Sequence, residues 1–552
     1  MILALLLACA EPAPAPQPAP EEVEEVVTPV APPFEGAPLD APALLRRASL
    51  DLRGVLPSLD EVAAVEADPA AVDALIAGFV DDPRYERRLV DLFAEHYLTR
   101  VEVFNLFATD FDLPPEQDFA YRRSVGEEPL RLLARVAVED RPWTDAVTTD
   151  QTLANPLLLS IWPLEDAGEP ADAEGWRPAR YTDGRPAGGA VMTNGLWWRY
   201  YTTPNNYNRS RAAALSRLFL CEDFLTRPIS FEAVAILDRE SLNEAIQTIP
   251  ACVGCHSTLD PLAASLFGFW WFDIYTPVEL NSYHAEREQM GPYYLETEMA
   301  WFGEPMADPA DLGPLLAADP RYTRCAVEVA AKALWRRPAE LADFATVSAL
   351  AARFEEGGLR HKALVRAILE GEDYRVGGLL PEAGAEAEAR LSTRRMLSPE
   401  QMESAVADLT GFIWRYGGYD QLTNDVYGYR VLAGGMDGQS VTRPEAEPTL
   451  TQALVMKRLS QAAAQHVVHE DFFGTEGRRL LAGVSMDDRP GDAGFEAALL
   501  ALHRRLFSRS PTEDELEEAR ALWQKVHDGG GVNQAWASLI AVLLRDPSFW
   551  TI

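Results

Sequence analysis

The amino-acid sequence predicts a mainly α-helical protein of several domains, and three observations support this. Apolar residues recur at helical spacing, as in residues 344–354, whereas strict alternation of apolar and polar residues is scarce. Capping-box patterns at residues 58–61, 398–401 and 512–515 predict helix starts, and the second has proline at the first helical position. A chain of 552 residues that is 47% hydrophobic is also long enough to bury more than one core.

The charge balance narrows the range of partners. The formal net charge is −36, from 49 Lys and Arg against 85 Asp and Glu. Nucleic acids and anionic lipids repel such a chain, so we expect no nucleic-acid partner. Beyond the first residues, no apolar run approaches the 18 residues that a membrane-spanning helix needs.

The first residues predict export. Residues 2–8 are apolar and Cys9 follows them, a pattern that resembles a bacterial lipoprotein signal in which the cysteine is lipidated. An ordinary cleaved leader is the alternative. Residues 10–38 are rich in Pro, Ala and Glu and are expected to form an extended tether. We therefore expect a location in the cell envelope, the periplasm or the outer membrane, with a lipid anchor as the only membrane contact.

Changes in composition divide the chain further. Residues 150–210 and 417–443 carry many Pro, Gly, Asn and Tyr residues that favour loops, and long loops are often functional. The predicted units are a signal at 1–9, a tether at 10–38, an N-terminal helical domain at 39–149, a central region at 150–376 and a C-terminal helical domain at 390–552.

Residues 252–256 carry the chemically specific motif, Cys-Val-Gly-Cys-His. The pattern C-x-x-C-H is the attachment signature of c-type haem, and it is expected by chance about 0.0007 times in this composition. Two thiols bond to one edge of the porphyrin, and the adjacent imidazole binds the iron. The sequence thus predicts one covalent haem c on Cys252 and Cys255, with His256 as iron ligand, in a cytochrome c-like segment of the central region. A redox-active dithiol, half of a zinc site and a plain disulfide are the alternatives.

The sixth iron ligand is not fixed by the motif. Met306 ranks first because it precedes an apparent helix beginning near Asp308, and a thioether ligand favours electron transfer. His284 is an alternative. A five-coordinate iron, with a site left for a small ligand, is another.

Two further cysteines, Cys221 and Cys325, stand outside the motif. In an oxidising compartment they form a possible disulfide, and two buried free thiols are the alternative.

Several segments resemble planctomycete-type cytochrome c proteins. Residues 42–96 resemble a helical domain of unknown function that is common in those proteins. Residues 141–156 are similar to a later segment of them, and residues 208–221 and 252–262 resemble their haem-binding domain. Residues 320–375 and 502–550 resemble their small C-terminal helical modules. The resemblance implies haem and an envelope location, and it says little about a substrate.

These observations predict an exported monohaem cytochrome-like protein that transfers electrons in the cell envelope. The acidic chain suits a basic redox partner protein. A second hypothesis is a haem-dependent envelope oxidoreductase of unknown substrate, with a pocket shaped by the loops at 150–210 and 417–443. A third is a non-redox helical scaffold whose C-x-x-C is a disulfide.

Overall fold

Helices dominate the computed structural model, which describes residues 36–226, 245–246, 248–380, 396–445, 447–475 and 477–552. The prediction of a mainly α-helical fold is confirmed. The helices up to residue 264 are α1 Ala41–Arg53, α2 Leu59–Ala67, α3 Ala71–Gly78, α4 Arg84–Tyr97, α5 Asp118–Val138, α6 Asp145–Thr148, α7 Pro156–Ile161, α8 Asn194–Arg199, α9 Arg209–Phe219 and α10 Pro250–Ala264. The later helices are α11 Pro277–Leu280, α12 Met290–Leu295, α13 Leu312–Ala318, α14 Pro320–Trp335, α15 Phe344–Glu356, α16 His361–Glu370, α17 Glu372–Arg375, α18 Pro399–Thr410, α19 Leu450–Phe473, α20 Ala493–Phe507, α21 Glu513–Leu543 and α22 Pro547–Trp550.

The strands of the described chain are short and antiparallel. They are β1 Gly36–Pro38, β2 Thr152–Ala154, β3 Leu164–Asp166, β4 Arg177–Tyr181, β5 Ala300–Trp301, β6 Glu304–Pro305, β7 Val376–Leu379, β8 Arg415–Tyr416 and β9 Tyr419–Asp420. Strand β1 pairs with β7, and β4 lies between β2 and β3 in a three-stranded sheet. The predicted tether at 10–38 therefore includes three residues that belong to the folded body.

The capping boxes at residues 58, 398 and 512 are confirmed as helix starts. Each side-chain oxygen accepts from the backbone N–H three residues later, and the Glu or Gln at that position accepts from the capping residue's N–H. Helices α2, α18 and α21 begin directly after these residues. Helix α21 is interrupted at Gly531, where φ is 80°.

The described chain packs around two hydrophobic cores. The first contains buried residues between positions 44 and 374, so the predicted boundary at residue 150 falls within it. The second contains residues from 396 to 552 together with Leu50 and Leu56 from the N-terminal part. Through these two leucines, the N-terminal part of the chain packs in both cores.

None of the described helices is both long enough and apolar enough to cross a bilayer. Cys9, the signal at 1–9 and most of the tether at 10–38 lie outside the described residues.

Candidate functional site

Helix α10 carries the whole C-x-x-C-H motif. Pro250 occupies its first turn, where the missing N–H costs nothing. At 100° per residue, Cys252, Cys255 and His256 lie within about 100° of arc on the helix. Both cysteines are partly exposed and are not joined in a disulfide. The two thiols and the imidazole therefore share one accessible face.

A cavity of about 430 Å³ opens beside this face, within the range of small-molecule sites. One wall is the segment 294–297, and Arg209 at the start of α9 adds a positive charge. The α10 residues that line the cavity are Val253, His256, Ser257, Asp260 and Pro261. His256 thus lies between the two cysteines and the cavity.

A carboxylate fixes the orientation of the imidazole. Asp260, one helical turn after His256, has its Oδ1 2.9 Å from His256 Nδ1. Arg209 donates to both oxygens of the same carboxylate, from Nε at 2.7 Å and from Nη2 at 2.8 Å. Burial opposes ionisation of Asp260, but the hydrogen bonds from Arg209 and His256 and the charge of Arg209 outweigh it and lower the pKa of the carboxyl. An ionised carboxylate only accepts, so Nδ1 donates, and in the neutral imidazole this places the lone pair on Nε2.

The aromatic run that follows the motif forms mainly core. Phe267, Phe269, Trp270 and Trp271 are all buried, and Phe267 stacks on Trp270 with centroids 5.0 Å apart. Tyr294 extends this stack to the cavity wall, since its ring lies 6.4 Å from that of Phe267. The buried rings of this run therefore pack behind the wall of the cavity that Tyr294 forms.

The two candidate sixth ligands lie elsewhere. Met306 is buried in the first core, its N–H donating to the Met299 carbonyl at 3.0 Å, and it is not among the residues that line the cavity. His284 has both ring nitrogens in contacts, with the Glu279 carbonyl at 3.0 Å and with Glu286 at 3.3 Å. The structure thus brings neither side chain to the cavity at His256.

The other cysteine pair forms a disulfide, with the sulfurs of Cys221 and Cys325 bonded. It links the end of α9 to α14 across 104 residues of sequence. A ring nitrogen of His96 lies within 4.8 Å of both sulfurs. Burial lowers the pKa of His96 to about 4, so the ring is neutral, and its Nε2 donates to the Leu218 carbonyl at 2.8 Å.

The two long loops line other cavities. Residues 149–192 surround a cavity of about 110 Å³, and residues 419–427 contribute to one of about 500 Å³ with residues 102–122. Of the described residues in the predicted loop segments 150–210 and 417–443, Arg209 alone lines the cavity at His256.

The donors at α10 fit a covalently bound haem. Two unpaired thiols share a helix face with an imidazole whose Nδ1 contact leaves Nε2 as the nitrogen for a metal, and open space adjoins His256. Sequence reasoning missed Arg209 and the role of Asp260 as the partner of His256. The i, i+4 spacing of His256 and Asp260 on a helix was the available signal.

Comparison with known protein families, with curated proteins and with solved structures finds no match to this chain.

Proposed function

We propose that this chain is an exported c-type monohaem cytochrome-like protein that transfers electrons in the cell envelope. The observation that carries the proposal is the shared face of Cys252, Cys255 and His256 on α10, beside a cavity. Cys252 and Cys255 hold the haem through thioether bonds, and His256 binds the iron through Nε2. Haem supplies a one-electron iron couple when bound. The chain's own groups anchor it and orient the ligand.

The disulfide supports the proposed location. Disulfides persist in oxidising compartments, where thioether haem is also attached, and Cys221 and Cys325 are bonded. Residues 1–38 supply the expected signal and tether, with Cys9 as the lipid attachment point. The redox partner is proposed to be basic, because the chain has a net charge of −36.

Haem staining tests the proposal. The chain is expressed with a haem-maturation system, and the denatured protein is stained for covalent haem. We expect staining of the native chain and none for Cys252→Ala/Cys255→Ala. Cys221→Ala/Cys325→Ala, which also removes two cysteines, serves as the control and retains the stain. A colourless native chain with no added mass refutes the proposal.

A second candidate is a haem-dependent envelope oxidoreductase. It is favoured by the position of Met306, which is buried in the first core and does not line the cavity beside His256. An open coordination position gives a small ligand access to the iron. Carbon monoxide that binds the reduced protein readily supports this candidate. A methionine–sulfur charge-transfer band in the oxidised protein supports electron transfer instead.

A further inference from the structure

The contacts behind His256 form a chain of three charged or polar side chains. His256 Nδ1 lies 2.9 Å from Asp260 Oδ1, and Arg209 reaches both oxygens of Asp260 at 2.7 and 2.8 Å. Asp260 is buried, with 8% of its side chain exposed, whereas 24% of the His256 side chain is exposed. The carboxylate is thus the more buried of the two groups.

The pairing has two physical consequences for the imidazole. A carboxylate that accepts from Nδ1–H fixes the tautomer with a free lone pair on Nε2 and holds the ring plane. It also makes the imidazole a stronger electron donor, because a partly transferred proton leaves more negative charge on the ring. Stronger donation to a metal stabilises its oxidised state.

Arg209 acts on the same carboxylate in the opposite direction. Its guanidinium makes a bidentate contact with Asp260, the geometry in which charge-assisted hydrogen bonds are strongest. This contact draws negative charge away from the atom that His256 shares. Arg209 also lines the cavity, so its positive charge adjoins the space beside the imidazole.

We infer that Asp260 is the positioning residue of His256 and that Arg209 sets how strongly Asp260 acts. Together they determine the tautomer of His256 and the reduction potential of the metal that His256 binds. This inference rests on the proposed function. It adds a pair of residues, from α9 and from the end of α10, that tune the site without touching the iron.

Reduction potential gives the first test, with the haem-loaded protein and its variants in redox titrations. Asp260→Asn removes the charge and is expected to shift the potential to more positive values. Arg209→Gln leaves Asp260 more negative and is expected to shift it to more negative values. Asp260→Glu keeps the charge and is expected to stay near the native potential. Shifts of the same sign for Asp260→Asn and Arg209→Gln, or no shift, overturn the inference.

Asp150 and Arg180 provide matched controls. They form an exposed pair with the same chemistry, Arg180 Nε to Asp150 Oδ2 at 2.9 Å. Asp150→Asn and Arg180→Gln repeat the two charge changes away from His256 and are expected to leave the potential unchanged. Equal shifts in these variants mean that overall charge is responsible, and the inference fails.

The tautomer gives a second test that needs no haem. Selective ¹⁵N labelling of histidine in the haem-free chain, with His256→Gln for assignment, reports which ring nitrogen of His256 carries the proton. We expect Nδ1–H in the native chain and mainly Nε2–H in Asp260→Ala. If His256 shows this change but the native chain takes up no haem, the proposed function fails and the contact stands. If the chain takes up haem and neither the tautomer nor the potential responds, the inference alone fails.

Discussion

Arg46 in α1 donates from Nη2 to the carbonyl of Phe549 in α22, at 2.7 Å across 503 residues. The same guanidinium donates to the carbonyls of Leu506 and Ser548, each at 2.9 Å. Burial lowers the pKa of Arg46 to about 10, so the group remains charged at neutral pH. One side chain of α1 thereby ties the first core to the C-terminal helices that form the second.

Replacing Arg46 tests this connection. Arg46→Met removes three hydrogen bonds from a charged donor and leaves three carbonyls without that partner, which we expect to cost about 2–4 kcal/mol. Thermal and urea unfolding measure the loss. Arg353→Met, at an exposed ion pair with Glu370, is the control and is expected to change stability by less than about 1 kcal/mol. Equal effects at both positions contradict the role given to Arg46.

The second prediction concerns the contribution of the disulfide to stability. Closing a loop across 104 residues restricts the unfolded chain, and the loop-entropy relation gives about 4–5 kcal/mol of stabilisation. Cys221→Ser/Cys325→Ser is therefore expected to lower the unfolding midpoint, and a thiol reductant is expected to do the same in the native chain only. Cys252→Ala/Cys255→Ala in the haem-free protein is the control, because those thiols are unpaired and partly exposed. A reductant effect that survives in Cys221→Ser/Cys325→Ser places the sensitive bond elsewhere.

Glu403 makes stability depend on pH. Burial, helped by the negative charge of Asp420, raises the pKa of Glu403 to about 7, and its buried Oε1 has no hydrogen-bond partner. The unfolded chain releases this proton near pH 4.5, whereas the folded chain holds it to about pH 7. The folded state binds more protons in that interval, so this group makes stability fall as pH rises from about 4.5 to about 7.

Glu403→Gln is the corresponding test. It is expected to raise stability by about 1–3 kcal/mol at pH 8 and to change it little at pH 4, where the carboxyl is protonated in both states. Urea titrations at both pH values measure the difference. Glu517→Gln on the exposed face of α21 removes the same charge and is expected to have a small effect at both values. A gain that is equal at pH 4 and pH 8 counts against titration of Glu403.

Local signals in the sequence were enough to predict the helical class and several helix starts. The capping box at residue 398 is an example, because its hydrogen bonds join residues three apart and need no tertiary partner. The pairing of β1 with β7 was not predictable in this way. Backbone hydrogen bonds between Gly36–Pro38 and Val376–Leu379 leave no periodic pattern in three residues, and the strand was included in the tether. The contact between Arg46 and Phe549 likewise depends on how distant helices pack.

In the candidate site, too, local features could be predicted from the sequence, whereas contacts between distant segments could not. The motif at 252–256 is recognisable in the sequence because its chemistry depends on spacing within about one helix turn. The pairing of Asp260 with His256 could be predicted in the same way, from their separation of four residues. The contact of Arg209 with Asp260 was not predictable from local sequence, because Arg209 lies in α9, 51 residues before Asp260. The position of Met306 before a helix start predicts it as the sixth ligand. A short 3₁₀ turn and α13 do begin after Asp308, yet Met306 itself packs in the core.

Close packing of α12 on α10 gives the last prediction. A Cβ on Gly291 of α12 would collide with the carbonyl of Ala264 at the end of α10 and would lie 2.9 Å from the Ala264 Cα. Backbone atoms cannot move aside as a flexible side chain does, so Gly291→Ala is expected to push α12 away and cost about 1–3 kcal/mol. Because Tyr294 and Leu295 of α12 line the cavity, the same substitution is expected to displace this wall of the cavity. Gly78→Ala, where an added Cβ meets nothing within 4 Å, is the control and is expected to be neutral or slightly stabilising. If Gly291→Ala unfolds at the native temperature, α12 does not pack on α10 as tightly as the structure has it, and the wall of the cavity is free to adjust.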